Sequence, residues 1–493
     1  MVIKNRAKQL VLNITPLFSF IVKKLLFKGI RIFLLPFALA CYPLPVEGSP
    51  VQGIFIELQS YQLDNGLRVV LAPQKDKNTV TVRLSVQVGA LDEQAGESGY
   101  AHLFEHMMFK GTPDIGDGEY FNIIKKLGGH TNAVTDFDAT TFFTSFPPTA
   151  LEQVLWLEAD RLQHLEITPE KLKNQISAVL EEKALNLDNQ PYASALAEFV
   201  RKVGRGSGYE KLVIGLEQDL EAATLESIKR FYDQYYHPAN IVLVVSGGFS
   251  SEQAKYWISE YFAKWIKPGK VNIRGNNKPE LDLASSEQIL YDPQAPYPVC
   301  FFAWLQPGTV SHEYGTNTLI GEMLLSGQNS LFRKQLRLDE NSFLSISMPF
   351  DSDNMSLQWI VIAPRSYASK QDIDLSLDRI LSTPADALFT EQMLLDAKLA
   401  AHLSYTQEIG EPNVLSYYLA EGIRLYQDPL ALIKQQQRIQ AVTLADIQNG
   451  WQQNWQQPDI RLEVTGGWQV RWGKTIMQWL PKGAATWLED RIL

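Results

Sequence analysis

Residues 241–248 have the sequence IVLVVSGG, and residues 460–467, which lie 219 positions later, have the related sequence IRLEVTGG. Each is an apolar run closed by two glycines, which is typical of a strand that ends at a turn. Two further pairs share this offset: residues 224–228 (TLESI) with 443–447 (TLADI), and strand-like runs ending at Gly89 and Gly308. Three matches at one offset indicate an internal repeat.

The repeat predicts a two-domain protein of the α+β class. We expect two homologous α/β-sandwich halves, each an antiparallel sheet with helices packed on it. The segment 268–286 is polar and contains proline and glycine, which is typical of a linker. The predicted domains are therefore residues 50–267 and 287–493.

A short motif in the first half has the sequence His-Leu-Phe-Glu-His at residues 102–106. On a helix, His102 and His106 are four positions apart and lie on one face, so both imidazoles can bind one metal ion. Two neutral histidines suit Zn²⁺, and Glu105 lies near enough to deprotonate a metal-bound water. A catalytic zinc usually has three protein ligands, so a third must come from elsewhere in the chain. The alternative interpretation is two structural histidines on a helix.

The longer string HLFEHMMFKGT, residues 102–112, resembles the pitrilysin/insulinase family of zinc peptidases, which includes mitochondrial processing peptidase. The resemblance extends over most of residues 55–467. It implies a peptidase with one zinc ion per chain, Glu105 as general base, and peptide substrates. The family's third ligand is a glutamate about 76 residues after the second histidine, which corresponds to Glu182. Paired homologous halves that enclose a chamber are also implied.

The resemblance also assigns residues around the metal. Asn132 and Ala133 correspond to an edge strand that holds the substrate backbone, although Asn132 could instead cap a turn. Arg337 corresponds to a substrate-contacting arginine. Two positions depart from the family pattern: Gln175 replaces a glutamate near the metal, and Leu344 replaces a tyrosine that contacts the substrate. The repeat in the second half lacks the zinc residues, so we expect that half to be inactive.

The function predicted from these residues is hydrolysis of unfolded or short polypeptides by a zinc metalloendopeptidase. One alternative is a non-catalytic, peptide-binding subunit of the same fold, and another is a hydrolase of non-peptide substrates. Since Leu344 cannot donate a hydrogen bond, we expect the chain to be the metal-bearing subunit of a heterodimer whose partner carries an Arg/Tyr pair. A homodimer or monomer is the alternative.

The charge balance is acidic, with 45 Lys and Arg against 55 Asp and Glu, and a formal net charge of −10. Nucleic acid is therefore not an expected partner, because phosphates require a basic surface. The chain contains only two cysteines, Cys41 and Cys300. This number excludes a disulfide framework and a cysteine-based zinc site.

The first forty residues predict export. They are basic at the start, continue into the apolar stretch 32–40, and end in Ala-Leu-Ala, which matches a signal-peptide cleavage site. Cys41 follows directly and is a candidate for lipidation. We therefore predict a periplasmic or envelope-associated protein that begins near Cys41. A basic tail on a cytosolic enzyme is the alternative.

Overall fold

The computed structural model describes residues 57–203, 208–267, 287–326, 329–366 and 370–467, together with residues 368, 470, 475 and 477–492. The predicted signal peptide, Cys41 and the predicted linker lie outside the described residues.

The first part of the chain forms six strands and eight α-helices among the described residues. In order these are β1 (Gln59–Gln62), β2 (Arg68–Pro73), β3 (Val80–Val86), α1 (Tyr100–Met107), α2 (Glu119–Lys126), β4 (His130–Thr135), β5 (Thr140–Phe146), α3 (Leu151–His164), α4 (Pro169–Lys183), α5 (Ala193–Val203), α6 (Glu217–Glu221), α7 (Leu225–Tyr235), β6 (Ile241–Gly247) and α8 (Ser251–Phe262). A π-helical turn, Ala184–Asp188, extends α4.

The remaining described residues form five strands and ten α-helices. They are β7 (Glu287–Tyr291), β8 (Val299–Pro307), α9 (Tyr314–Leu325), α10 (Leu331–Gln335), α11 (Leu338–Asn341), β9 (Ser342–Asp351), β10 (Met355–Pro364), α12 (Lys370–Leu381), α13 (Ala385–Leu388), α14 (Glu391–Ile409), α15 (Pro412–Tyr426), α16 (Ala431–Ala441), α17 (Leu444–Asn454), β11 (Ile460–Thr465) and α18 (Lys482–Ile492).

The two sheets have the same connectivity. The first has the order β1-β2-β6-β3-β5-β4 and the second β7-β11-β8-β10-β9, so the second lacks only a counterpart of β1 among the described residues. The repeat seen in the sequence is also visible at helix starts: Thr224 and Thr443 each cap a helix with a reciprocal side-chain and backbone hydrogen-bond pair.

The predicted α+β class with two similar halves is confirmed. Each sheet is mixed rather than wholly antiparallel, because β2 pairs in parallel with β6 and β7 pairs in parallel with β11. The chain reaches β6 and β11 through long helical connections, which bring those strands back in the direction of β2 and β7.

The halves exchange helices across their sheets. One face of the first sheet is covered by helices of its own half, whereas the other face packs against the end of α14 and against α15 from the second half. Conversely, α5 of the first half packs on the second sheet through Phe199, together with Tyr192, which directly precedes this helix. The buried Arg83 on β3 reinforces this contact, since it donates to Ser416 Oγ (2.9 Å) and Asn413 Oδ1 (2.7 Å). This exchange makes each half part of the other's core.

The parts of the chain that the structure describes include no helix with the length and hydropathy needed to cross a bilayer.

Candidate metal centre

Helix α1 carries the His-Leu-Phe-Glu-His motif and is fixed at its first turn. Gly99 precedes it at φ 98°, and a Cβ there would lie 2.8 Å from Gly215 Cα, so only glycine fits. Glu93 Oε1 accepts a hydrogen bond from the Ala101 backbone amide at 3.0 Å. Burial raises the pKa of Glu93 to about 8. Phe104 stacks on Phe231 with 5.2 Å between ring centroids, which fixes the buried side of the helix.

The opposite edge of α1 faces α4, where Glu182 lies. Glu182 Oε2 is 3.7 Å from His102 Nε2 and 3.3 Å from His106 Nε2. The three potential ligand atoms lie within 4.8 Å of one another. The structure therefore brings together the two histidines of the motif and the glutamate 76 residues later.

The geometry of this cluster fits a zinc ion. Ligand atoms about 2.0–2.1 Å from a tetrahedral ion lie about 3.4 Å apart, close to the two distances observed here. Burial is the main cause that lowers the pKa of His102 to about 4, and the neighbouring His106 lowers it further. The imidazole is therefore neutral near pH 7, as a metal ligand must be. A hydrogen bond with His106 lowers the pKa of Glu182 and keeps it ionised. No other group of three such side chains occurs in the described ranges.

Glu105 is held by the edge strand β4. Thr135 Oγ1 donates a hydrogen bond to Glu105 Oε2 at 2.6 Å. Burial raises the pKa of Glu105, and hydrogen bonds from the Thr135 side chain and backbone oppose that effect. The carboxylate is therefore oriented by the Thr135 hydroxyl and lies next to the metal cluster.

Strand β4 is the free edge of the first sheet among the described residues. The Asp136 amide donates to the Ala139 carbonyl at 3.0 Å, and bonded pairs alternate along an antiparallel ladder. It follows that the backbone groups of Thr131, Ala133 and Thr135 point away from β5. Ala133 is thus placed to pair with an added strand, although its side chain is buried against α1, while Asn132 is half-buried and pairs with Phe143.

Gln175 is buried on α4 and donates to Asn174 Oδ1 at 2.9 Å. The buried His102 Nδ1 has no hydrogen-bond partner in the described part of the chain. The predicted role of Gln175 near the metal stays a prediction, since the observed hydrogen bond of its amide is to Asn174.

The contacts observed for the residues predicted from the second half are with other groups of that half. Arg337 is exposed and pairs with Glu340, and it has φ 51° at the start of α11. Leu344 lies on β9 and packs on the second sheet. Tyr314, a tyrosine at the start of α9 in the same half, donates its hydroxyl to Asp351 Oδ2 at 3.0 Å. The predicted roles of Arg337 and of Leu344 at the substrate stay predictions.

Sequence reasoning missed Thr135 and Glu93. Both act on the motif helix through tertiary contacts, and neither has a ligand-like spacing that a search of the sequence could detect. Glu93 follows a strand and precedes a helix that carries a metal motif, which is the position from which an acidic residue can cap that helix.

A two-half α+β protein with a His-His-Glu cluster and an adjacent glutamate corresponds to the class of two-domain metallopeptidases. Residues 68–204 match the model of the insulinase family of peptidases, M16, and residues 222–383 match the model of the M16 inactive domain. These matches together span more than half of the chain, and the chain belongs to the M16 family. The resemblance inferred from the sequence is confirmed.

Individual relatives and solved structures are consistent with this family. The chain is 33% identical over 196 residues to the zinc protease PqqE of Helicobacter pylori, which is 40% of this chain and 44% of that protein. It therefore spans less than half the length of that relative. A protease structure from Helicobacter pylori matches with a TM-score of 0.74 at 20% identity, over 83% of this chain and 99% of that one. The periplasmic protease PqqL of Escherichia coli matches with a TM-score of 0.68 at 19% identity, over 90% of this chain and 51% of that one.

Replacing Thr135 with valine tests its part in orienting Glu105. Valine keeps the shape and strand preference but cannot donate to the carboxylate, a contact to a charged group worth about 1.5–3 kcal/mol. If the protein is a peptidase, we expect kcat for peptide cleavage to fall about ten- to a hundredfold, with zinc content unchanged. Thr135→Ser keeps the donor and should remain within a few-fold of wild type. Equal activity of the valine and serine variants would contradict this role.

Proposed function

We propose that this protein hydrolyses peptide bonds with one zinc ion per chain, bound by His102, His106 and Glu182. The observation that carries the proposal is the meeting of these three groups beside Glu105 and the free edge of β4. The family membership supports the same reaction, since relatives are named zinc proteases.

Zinc bound there would polarise the scissile carbonyl and make a bound water more acidic. Glu105 then accepts the proton of the attacking water and delivers it to the leaving nitrogen. The hydrogen bond from the Thr135 hydroxyl keeps the carboxylate aimed at that water. Burial raises the pKa of Glu105 toward the working pH. This favours both the uptake of the proton from water and its delivery to the leaving nitrogen.

The substrate is an extended polypeptide. The outward N–H and C=O groups of Ala133 and Thr131 can pair with a peptide that adds to β4 as a further strand. A folded domain has few unpaired strands to offer, so we infer that the substrates are short or unfolded chains. Such a peptide would pass directly beside Glu105, which accepts its hydrogen bond from the last residue of β4.

Two other functions remain alternatives. A non-catalytic peptide-binding subunit is favoured by Gln175 and Leu344, the departures from the family pattern, whereas the complete metal cluster favours an enzyme. A hydrolase of non-peptide substrates is disfavoured by the family membership. Cleavage of a quenched peptide mixture by purified protein, abolished by a chelator and restored by zinc, would support the peptidase. Stable peptide binding without cleavage would support the binding subunit.

We further propose that the protein is exported to the periplasm or envelope, with a signal peptide at residues 1–40 and Cys41 as a candidate lipid-bearing N terminus. The apolar stretch and the Ala-Leu-Ala sequence support this. A structural relative is itself named a periplasmic protease. N-terminal mass spectrometry tests the proposal, because an intact Met1 in a cytosolic fraction would contradict it.

The partner of this chain is proposed to be a homologous subunit with an Arg/Tyr pair. The support is Leu344, which lies where the family pattern has a tyrosine. We expect native purification to recover a second, related chain that lacks the metal motif. Adding this second chain to the purified protein should raise the rate of peptide cleavage about a hundredfold. Full activity of the purified chain alone, unchanged by the candidate partner, would contradict this and support a homodimer or monomer.

A further inference from the structure

Two equivalent turns, one from each half, meet beside the candidate site. The β4–β5 turn has the sequence Asp-Phe-Asp-Ala at residues 136–139, and the β9–β10 turn has Asp-Ser-Asp-Asn at residues 351–354. The Asp353 backbone amide donates to Asp138 Oδ2 at 3.0 Å in a buried contact. Phe137 and Phe350 pack edge to face beside it, with 5.6 Å between ring centroids.

Arg424 on α15 fixes the second of these turns. Its two terminal nitrogens donate to the two Asp353 carboxylate oxygens at 2.5 and 2.6 Å, and its Nε donates to Glu421. The side chains of Arg424 and Asp353 are each only 9% exposed. A bidentate pair with little exposure has one permitted geometry, so it holds Asp353 rigidly under the first turn. We call Asp138, Asp353 and Arg424 the hairpin clamp.

The clamp acts on the strand that borders the metal centre. Strand β4 is an edge strand, paired within its sheet only with β5 among the described residues. It ends at Thr135, which holds Glu105, and the turn held by Asp138 begins at the next residue. Any movement of the turn therefore changes the position of Thr135 and of the outward groups of β4.

We propose that the inactive second half positions the substrate-binding edge strand β4 through the hairpin clamp, so that Asp138, Asp353 and Arg424 are positioning residues. This inference rests on the proposed function in taking β4 as the strand to which a peptide adds. It gives the half without metal ligands a part in catalysis. None of the three clamp residues touches the reacting atoms.

Hydrogen exchange of the full chain tests the clamp independently of activity. In Asp138→Ala the acceptor for the Asp353 amide is lost, and we expect backbone exchange of residues 130–135 to rise about tenfold or more, with β3 and β6 unchanged. Asp138→Asn retains an acceptor oxygen and should change exchange little. Ser246→Ala is the matched control, because it removes another contact between the halves, the 2.6 Å bond to the Pro412 carbonyl, away from the turn.

A second variant protects against a folding failure. Arg424→Lys keeps the charge but cannot bind Asp353 through two nitrogens, so it should raise exchange in the same segment. If the wild type cleaves peptides, Asp138→Ala and Arg424→Lys should each raise the KM for the peptide about tenfold, with zinc content unchanged. A wild type that cleaves no peptide contradicts the proposed function and leaves the exchange test in force. Exchange that stays flat in residues 130–135, or that rises equally in β3 and β6, would overturn the clamp.

Discussion

Replacing Glu105 with glutamine is expected to lower the rate of peptide cleavage by about a thousandfold or more while the protein keeps its zinc. The amide is nearly isosteric and can still contact Thr135, but it cannot accept the proton of the attacking water. Binding of an extended peptide should persist, because the outward groups of β4 are unchanged. The measurement is kcat and KM on a quenched peptide, with zinc content determined on the same sample.

The matched control is Glu181→Gln, since Glu181 lies on α4 next to Glu182, the proposed ligand, yet is exposed. It removes the same charge near the cluster without touching the base, and should cleave peptides as the wild type does. Near wild-type turnover of Glu105→Gln would show that another group acts as the base. Equal losses in both variants would indicate a general electrostatic effect instead.

Loss of a ligand has the second large effect. His106→Ala leaves two protein ligands, and we expect the zinc content of the purified protein to fall from about one per chain to nearly none, with affinity reduced about a hundredfold or more. Glu182→Gln should behave similarly, because a neutral amide replaces the anionic ligand, whereas Glu181→Gln should retain full zinc. Metal analysis after dialysis decides the outcome. Full retention of zinc by His106→Ala would exclude this cluster as the binding site.

The fold was predictable from the sequence to the extent that the repeat encodes it. Apolar runs and helix caps are local patterns, so the segments that begin at Thr224 and Thr443 are recognisable as equivalent from their residues alone, and both residues cap helices. The pairing of strands in parallel was not predictable in the same way. Whether β6 lies beside β2 depends on a long connection and on packing, and not on any residue in the strand itself.

The residues of the candidate site also differ in how far the sequence alone predicts them. His102, Glu105 and His106 lie within five residues on one helix, so their convergence follows from helical geometry alone. Glu182 could be selected only through the family spacing, because a glutamate on a helix is usually a solvated one. Arg337 has a sequence match but lies on an exposed turn in the chain, paired with Glu340. Its predicted role as a substrate contact stays a prediction.

By itself, the sequence determined the class, the two halves and the candidate metal-binding histidines, because periodicity, capping and an i, i+4 histidine pair are properties of short segments. Only the tertiary structure decided how the halves exchange α5 and α15, how Thr135 holds Glu105, and how Arg424 and Asp353 meet Asp138. These contacts join residues as far apart as Asp138 and Asp353, separated by 215 positions. No local pattern records them, since they form only when the packed core has fixed which faces of two sheets meet.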